Sequence, residues 1–539
     1  MAAQANTAST LEYHLKNDVH HMMAKNYISA VSRMDPPHYF FFGKNLPWND
    51  VDDCPDLTSD YYADEAALRN NIVLLDRIRA AEVSHVIKRH DWEAGQVYDR
   101  WDPRISDQYP AYSGATEIFT STMFVITPSN HIYKCIDNND NSPCYDMPTS
   151  TTTDYITTAD DYVWKYMMTV NEYSRLSFMN TDWVPVVNGV HSTDLSTGIT
   201  VTIDDGGQDY DPTNTIIVVV GDGLGAHLKP IINGGVITGI EVVDPGEGYS
   251  YASAYVSTPD LTLPRGTGAQ ISVEFPLLDL GTTQVNTQLS AVDGDISSIS
   301  ITANGANYTS ANVVISGNGS GATATAQIEN GQVTKVHIVT RGSGYTYANI
   351  SIVGDGFGAE AYAIVSPSAG HGHDIVEESR SRAVATKKNV NEVSLHGVVD
   401  WPNFRQCGIW THPDKTPLST EFRQHFTAFQ ATPCWGVNSE QIFKNDYTLN
   451  QLLIRQTDQT EWYVVARSDT KLVLQSLTGH SIEPADVFYD ENGAYAFYAD
   501  SVESPDVVKE SGLIMFYDNN TVYHAIEDSA VRATIYIEF

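Results

Sequence analysis

The sequence has no run of eighteen apolar residues, so it offers no candidate for a membrane-spanning helix. Its opening residues, MAAQANTASTLEYHLKND, lack a basic start followed by an apolar stretch, and we expect no secretion signal. Basic residues are also scarce: 31 Lys and Arg stand against 67 Asp and Glu, a net charge of −36. Nucleic-acid binding needs a basic surface that displaces counterions from phosphates, and the compact basic stretch here is VIKRH (86–90). This composition argues against a nucleic-acid partner.

Cysteines are few, and none of the five forms a Cys-x-x-Cys pair, which argues against a zinc cluster. Cys135 and Cys144 are close enough in sequence for a disulfide to be conceivable. The odd number of cysteines, without a secretion signal, favours free thiols in a reducing compartment. Hydrophobic residues make up 42% of the chain, enough for packed cores.

Helical periodicity appears in two places near the N-terminus. Residues 8–34 predict a helix whose apolar stripe is formed by Leu11, Leu15, Val19, Met22, Met23, Ala30 and Val31. Residues 63–80 predict a second helix with Leu68, Ile72, Leu75 and Ile78 on one side. Most of the remaining chain up to 190 reads as strands and polar turns, including EIFTSTMFVIT and HIYKCID.

An internal repeat occupies residues 195–366, with copies at about 200–260 (repeat 1) and 296–366 (repeat 2). Each copy runs Gly-x-x-Tyr, a strand, a glycine-rich segment, a strand, Asn-Gly, a strand and Gly-x-Gly-Tyr. The glycine-rich segments are GDGLGA, RGTGA, GNGSGA and GDGFGA. A dinucleotide site needs a helix after such a loop, and calcium-binding glycine repeats have a nine-residue period; neither pattern fits. The pattern instead predicts turns between short strands, with the tyrosine of each Gly-x-Gly-Tyr packed at a strand entrance.

Three short motifs suggest chemistry but are incomplete. HGHD (371–374) offers metal-binding side chains without a full ligand set. DNNDNS (137–142) resembles the start of a calcium loop but lacks its central Gly and closing Glu. GNGSG (317–321) places a serine among glycines, as does the Gly-x-Ser-x-Gly motif of hydrolases, but its serine is the fourth residue and the segment lies in a β repeat and not between a strand and a helix. We therefore assign no catalytic residue, no metal site and no cofactor.

The stretch DDYVWKYMMTV (160–170) reads as one strand with Tyr162, Trp164, Tyr166 and Met168 on one face. Lys165 lies on the other face. Three aromatic rings in a row could form a platform for a sugar or base, or they could belong to a core or a subunit interface.

Seven segments, taken in order, resemble a known family. They are YFFFGKNLPW (39–48), VIKRHDWEAGQVYD (86–99), HIYKCID (131–137), DDYVWKYMMTV (160–170), FRQCGIWTHP (404–413), ESGLIMFYDNN (510–520) and ATIYIEF (533–539). The chain is similar to the baseplate wedge protein encoded by gene eight of T4-like contractile-tailed bacteriophages. The match covers roughly 1–190 and 392–539. It departs from the family at Asp161, where the family has Gly, and in the repeats, which shorter members lack.

The resemblance implies a mainly β (α+β), multi-domain virion protein without enzymatic activity. Its body would be β-sandwich-like with a few helices. It would comprise an N-terminal wedge domain (1–190), inserted glycine-rich β modules (195–366), a connector (367–391) and a C-terminal wedge domain (392–539). The family member forms a homodimer, contacts other baseplate wedge proteins and supports host attachment and sheath contraction. The implied location is the tail baseplate, after assembly in the host cytoplasm.

The motifs that carry the resemblance also supply candidates for core or interface positions. These are Trp48, Trp92, Tyr162, Trp164, Tyr166, Phe404 and Arg405. Large aromatic side chains contribute contact area at low entropic cost, which suits either position.

Two other functions remain open at this point. The repeats could make the protein a tail-associated adhesin that binds a host-surface glycan, since repeated β modules often carry binding loops. An exposed aromatic cluster within 195–366 would favour this function, and burial of Tyr210, Tyr249, Tyr308 and Tyr345 would weaken it. A polysaccharide-cleaving tail enzyme would need two carboxylates facing each other across a cleft, and the sequence singles out no such pair.

Overall fold

The structure is a computed structural model. It describes residues 7–33, 36–48, 61–187, 200–221, 226–244, 252–258, 266–274, 281–390, 395–396, 403–416, 430–523 and 531–539.

The described chain contains the following elements in chain order. The α-helices are α1 (Thr7–Arg33), α2 (Tyr61–Asn71), α3 (Glu172–Phe178), α4 (Gly281–Leu289) and α5 (Ile375–Glu378). The strands of the first half are β1 (His38–Gly43), β2 (Ile72–Arg77), β3 (Val83–Lys88), β4 (Phe124–Ile126), β5 (His131–Asp137), β6 (Ile156–Thr157), β7 (Val163–Thr169), β8 (Trp183–Val186), β9 (Thr200–Asp205), β10 (Ile216–Gly221), β11 (His227–Asn233), β12 (Val236–Asp244), β13 (Ala252–Ser257) and β14 (Gln270–Glu274). Those of the second half are β15 (Ile296–Ala306), β16 (Ala311–Gly317), β17 (Ser320–Glu329), β18 (Gln332–Ser343), β19 (Ala348–Gly354), β20 (Phe357–Val365), β21 (Ala383–Val390), β22 (Phe404–Thr411), β23 (Gln430–Ala431), β24 (Trp435–Asn438), β25 (Leu452–Arg455), β26 (Glu461–Ser468), β27 (Lys471–Gln475), β28 (Val487–Asp490), β29 (Tyr495–Tyr498), β30 (Ser501–Glu503), β31 (Leu513–Tyr523) and β32 (Val531–Glu538).

The prediction of a mainly β protein is confirmed, with 48% strand against 11% helix. The strands form several antiparallel sheets, as expected of a chain rich in short strands separated by Gly and Asn turns. None of the helices in the described ranges is both long enough and apolar enough to cross a bilayer.

The first compact unit contains residues 1–26, 84–384 and 538–539. Its central sheet has the strand order β4-β5-β7-β6. Repeat 1 forms a four-stranded sheet, β12-β11-β10-β13, and a two-stranded sheet, β14-β9. Repeat 2 forms a six-stranded sheet, β15-β20-β19-β16-β17-β18, whose first and last strands also approach each other. The interior of repeat 2 is filled with Ala, Ile and Val side chains, which in β17 alternate with polar outward residues.

The second compact unit contains residues 27–83 and 385–537. It holds a five-stranded sheet, β23-β2-β1-β22-β31, and a seven-stranded sheet, β29-β28-β25-β26-β27-β24-β30. Strand β1 pairs with β22 along its length, with Phe41 opposite Gly408. A Cβ atom on Gly408 would overlap the Phe41 ring, so this position requires glycine.

The residue ranges of these two units differ from those of the domains predicted from the sequence. The predicted N-terminal domain (1–190) is divided, because residues 38–43 and 72–77 pair into the sheet formed with the C-terminal segments. The predicted connector (367–391) is also not a plain linker. It contains α5 and β21, and Glu378 and Lys388 within it are buried.

The predicted N-terminal helix is present, but the predicted apolar stripe is wrong in part. Val19, Met22 and Met23 are exposed, whereas the helix buries His21, Ala24, Tyr27 and Val31. The side chains of Leu11 and Leu15 lie outside the described residues. Burial of His21 is made possible by hydrogen bonds from its ring to the Ser381 carbonyl and the Glu377 carboxylate. Simple apolar periodicity cannot anticipate a buried polar side chain whose partners come from a distant segment.

The second predicted helix is correct only for its first half. Helix α2 ends at Asn71, and residues 72–77 form the fully buried strand β2. A short segment that is buried on all sides carries no periodicity that separates helix from strand. The backbone pairing of β2 with β1 decides for the strand.

Three tyrosines of the repeats pack against the glycine-rich segments. Tyr345, the described tyrosine of a Gly-x-Gly-Tyr segment, is buried as predicted, and so are Tyr210 and Tyr308; Tyr249 lies outside the described residues. A Cβ atom on Gly266, Gly356 or Gly319 would overlap the rings of Tyr210, Tyr308 and Tyr345 respectively. The backbone N–H groups of these tyrosines donate to Gly235, Gly331 and Gly294 carbonyls, each at 2.9 Å. The absence of a side chain at each of these glycines therefore leaves space for the tyrosine ring that packs against it.

Candidate functional site

The aromatic strand β7 is part of a core and does not form an open platform. Tyr162, Trp164 and Tyr166 are at most 1% exposed. Tyr162 stacks on Trp164 with ring centroids 5.6 Å apart, and Tyr166 meets Tyr133 of β5 edge-to-face at 5.8 Å. The Tyr166 hydroxyl is hydrogen-bonded to the Thr169 hydroxyl at 2.7 Å. Rings this enclosed cannot receive a sugar or a base from solvent.

The strand does not keep strict alternation to its end. Tyr166 pairs with Tyr133 and Met168 pairs with Ile132, so that Met167 is an extra residue in the ladder. This bulge turns Met168 away from the aromatic side. Met168 joins a different hydrophobic cluster, which corrects its predicted place beside the aromatic rings.

The remaining core or interface candidates divide between the two units. Trp92 is half-buried against the aromatic cluster of β7 and donates its backbone N–H to Ile126 at 2.9 Å. In the second unit, Phe404 is buried with its ring 5.7 Å from that of Phe42. Arg405 donates to the Asn45 carbonyl at 2.8 Å, and burial lowers its pKa.

Trp48 completes this second group. The Lys44 ammonium lies 5.2 Å from the centroid of its half-buried ring. The seven candidates therefore form two groups and no single site.

A buried ionic cluster lies on the opposite side of the same two strands. Lys134 of β5 and Lys165 of β7 are direct partners across the ladder, and both are buried. The Lys134 Nζ donates to Glu378 Oε2 at 2.7 Å and lies 3.7 Å from the centroid of the Trp101 ring. Burial lowers the Lys134 pKa, although Glu378 opposes this effect.

Glu378 is held as a carboxylate by several donors. Its Oε1 accepts the backbone N–H groups of Gly372 at 2.8 Å and Asp374 at 3.3 Å. Burial alone would raise its pKa, but the positive charge of Lys134, assisted by the adjacent His371 ring, outweighs burial and lowers the pKa to about 2. The carboxylate is therefore ionised, satisfied and only 3% exposed.

His371, from the HGHD motif, joins this cluster. Its Nε2 is 2.8 Å from the Ser297 hydroxyl, and its Nδ1 is 3.6 Å from Glu378 Oε2. Complete burial, followed by the neighbouring Lys134 charge, lowers the His371 pKa to about 3. A neutral imidazole is therefore packed between a cation and an anion.

A second set of contacts joins repeat 2 to the central sheet. Tyr155 donates its hydroxyl to Asp295, at the entry to β15, and the Arg341 guanidinium lies 3.9 Å from the Tyr155 ring centroid. Arg341 also donates to the Ile296 carbonyl at 2.8 Å. Burial raises the pKa of Asp295 and raises that of Tyr155 well above its usual value. Repeat 2 is thus anchored through buried polar groups within the first unit.

The other two suggestive motifs also have structural roles. Asn139 of the DNNDNS loop and Asp161 both accept from Lys335 of repeat 2, at 2.8 and 3.5 Å. Ser320 of GNGSG opens strand β17 opposite Ser343, without the strand-to-helix turn of a nucleophilic serine. Asp374 of HGHD caps α5, accepting from Val376 N–H at 2.9 Å. Across the described ranges, no group of three or more His, Cys, Asp or Glu side chains could hold a metal ion.

The four described cysteines are free and buried, as predicted; Cys54 lies outside the described residues. Cys135 and Cys144 are not bonded to each other.

A surface cleft of about 390 Å³ lies elsewhere in the first unit. Its apolar walls include Trp101, Ile105 and Phe119. The cleft also contains Arg380, which pairs with Asp18, and Arg382, which pairs with Glu117 and Glu538. Because each arginine already has a carboxylate, the cleft does not select an anionic ligand.

The sequence contained one signal of the ionic cluster that its motifs did not reveal. HIYKCI and VWKYMM each place a single lysine inside an otherwise apolar strand, and a lysine that is buried in this way needs a counter-charge. The cluster is closed to solvent and links segments that are distant in sequence, so its role is structural.

No family model matches the chain, and no curated protein matches it.

Proposed function

We propose that this chain is a non-enzymatic structural protein of a contractile-tail baseplate wedge, a homodimer that links neighbouring wedge proteins. The supporting observation is that segments carrying the family resemblance pair directly with one another. YFFFG (39–43), FRQCGIWT (404–411) and LIMFYDNN (513–520) lie on β1, β22 and β31, which are neighbours in one sheet. HIYKCID and VWKYMMT pair as β5 and β7 in another sheet. The resembling residues thus build the frames of the two units.

The departure at Asp161 is compatible with the same backbone. Asp161 has φ of +62°, a region that glycine adopts without steric cost and that aspartate tolerates. Both the family glycine and this aspartate can therefore adopt the backbone conformation of the turn that precedes the aromatic strand.

The adhesin alternative loses part of its support. Tyr210, Tyr308 and Tyr345 are buried, the arrangement that was expected to weaken the adhesin function. The exposed aromatic residues Tyr347 and Phe357 of repeat 2 lie at the starts of different strands. Binding of the purified chain to a panel of bacterial surface polysaccharides would favour the adhesin, whereas absence of binding would favour the wedge protein.

Immunogold electron microscopy of intact phage particles tests the proposal directly. The antibody is raised against residues 296–366, because repeat 2 offers a large exposed polar surface. We expect label in a ring at the baseplate. Label at fibre tips, or none on particles that contain the chain by mass spectrometry, would contradict the wedge function. Preimmune serum on the same particles is the control.

A further inference from the structure

The four-stranded sheet of repeat 1 is apolar on both sides. Its inner side contributes Ile217 and Leu228 to a hydrophobic cluster. Its outer side carries what we call the repeat-1 face, formed by Ile216, Val218 and Val220 of β10, Ile231 of β11 and Tyr255 of β13. Ile216, Val220, Ile231 and Tyr255 are 47–52% exposed. A strand such as IIVVVG, without polar alternation, is typical of a sheet that is covered on both faces.

Repeat 2 provides an internal comparison for this face. Strands β16 and β19 of repeat 2 pair in the same register as β10 and β13 of repeat 1. Ile216, Val220 and Tyr255 correspond to Asn312, Ser316 and Ser351. The repeat fold therefore does not require apolar side chains at these three positions, although Val218 corresponds to Val314, which is also apolar and is exposed. The apolar side chains of repeat 1 need a reason outside the fold of the repeat itself, and contact with another surface supplies one.

The charges beside the repeat-1 face indicate what covers it. Lys229 and Glu241 lie opposite each other on β11 and β12, with their charged atoms 3.7 Å apart. These two charges cancel each other, in a chain of net charge −36. Two copies of this chain repel each other over most of their surfaces, and a neutral apolar face is where that repulsion is weakest.

We propose that the repeat-1 face is a contact surface between two copies of this chain, related by a two-fold axis. A two-fold axis places the repeat-1 face of one molecule against the repeat-1 face of the other, as in other isologous interfaces. It also allows Lys229 of each molecule to approach Glu241 of the other. Ser253 and Ser257, the β13 partners of Val220 and Ile216, are small and permit the two sheets to approach to about 10 Å, the usual spacing of packed sheets.

This inference deepens the proposed function and rests on its homodimer. Because family members that lack the repeats also form a homodimer, the surface named here is specific to this chain and is not carried over from the family. The sheet is four strands wide and about six residues long, or about 400 Å² of flat area per molecule. This is below the area of about 800 Å² per partner in a standard interface. We therefore expect a dimer that dissociates on dilution unless other surfaces add to it.

Sedimentation velocity of the full chain over a wide concentration series tests the inference. We expect a monomer–dimer equilibrium in the unaltered chain. The triple variant Ile216→Asn, Val220→Ser, Tyr255→Ser carries the residues of repeat 2 on the repeat-1 face and should stay monomeric at concentrations where the unaltered chain dimerises. The matched control is Val314→Thr with Val353→Ser on the equivalent surface of repeat 2, which should leave the equilibrium unchanged. Circular dichroism and thermal unfolding verify that each variant is folded.

A chemical cross-link gives a positive test. Ser253→Cys in a Cys54→Ser background places an accessible thiol beside the face, whereas the four described native thiols are buried. A short bis-maleimide should give a covalent dimer, and this product should be lost in the triple variant.

The possible outcomes distinguish the two proposals. If the triple variant dimerises like the unaltered chain, the repeat-1 face is not the contact, while the proposed homodimer stands on another surface. If the unaltered chain is monomeric throughout, the inference and the homodimer are both wrong. Baseplate labelling of virions then still decides whether the protein belongs to the wedge.

Discussion

Lys134 and Lys165 lie directly opposite each other on adjacent strands, and both are buried. The two like charges are tolerated because each ammonium has a different acceptor. Lys134 donates to the Glu378 carboxylate, and Lys165 donates to the Thr153 carbonyl. This pair of strands therefore depends on segments that are distant in sequence.

Substituting Lys134 by Met should strongly destabilise the first unit. The change leaves the Glu378 carboxylate buried without its cation, and removing one partner of a buried pair costs about 3–5 kcal/mol. Urea denaturation followed by tryptophan fluorescence measures the loss, since Trp101 lies against Lys134. Lys25→Met, which removes a 48%-exposed lysine from its pair with Glu377, should change stability by about 1 kcal/mol or less. Equal losses in the two variants would contradict the structural role of the buried pair.

Acid should destabilise the first unit through His371. Its pKa is about 3 in the folded protein and near 6.5 when unfolded, so the unfolded state binds more protons between these values. Stability is therefore present above about pH 6.5 and is lost as the pH falls toward 3. Glu378, with a folded pKa of about 2, adds a further loss below about pH 4.5.

The variant His371→Asn separates these contributions. It should show a weaker decline in unfolding midpoint between pH 6.5 and 4.5 than the unaltered protein. Burial also lowers the pKa of His85 to about 3. The contribution of His85 to the loss of stability in acid should therefore remain in this variant. An unchanged pH dependence in His371→Asn would show that the imidazole titrates normally.

Gly356→Ala should destabilise repeat 2, because the added methyl group would overlap the Tyr308 ring. Overpacking of this kind usually costs about 1–3 kcal/mol. Differential scanning calorimetry measures the shift in melting temperature. Ser351→Ala on the exposed side of β19 is the matched control, and we expect little effect from it. A melting temperature equal to that of the control would mean that the tyrosine ring does not pack on this glycine.

The native thiols should resist modification. Burial raises the pKa of Cys144 to about 12 and that of Cys434 to about 11, and burial also raises the Cys135 pKa well above its usual value. Since the thiolate is the reactive form, a Cys54→Ser variant should show almost no reaction with Ellman's reagent until it is unfolded. In denaturant, four thiols should react. Rapid reaction of the folded variant would contradict the enclosed cores around these residues.

Sequence reasoning was most accurate where a pattern is local. HIYKCID forms β5 over the predicted residues, and the repeat glycines form turns around buried tyrosines. It was least accurate where burial depends on a distant partner. Ile72 and Leu75 were placed on a helix, because a segment buried on all sides has no distinguishing period, and pairing with β1 makes it a strand.

The sequence by itself determined the mainly β class, the turn chemistry of the repeats and the aromatic strand, since these follow from side-chain alternation and from glycine. Only the tertiary structure decided how the chain divides into two units and which carboxylate neutralises Lys134. Glu378 lies 244 residues from that lysine, and a buried charge selects its counter-charge by distance in space. The strand register in the tertiary structure was also needed to compare the outward-facing side chains of the two repeats. Register decides on which face of a sheet each side chain lies, and β10–β13 and β16–β19 pair in the same register.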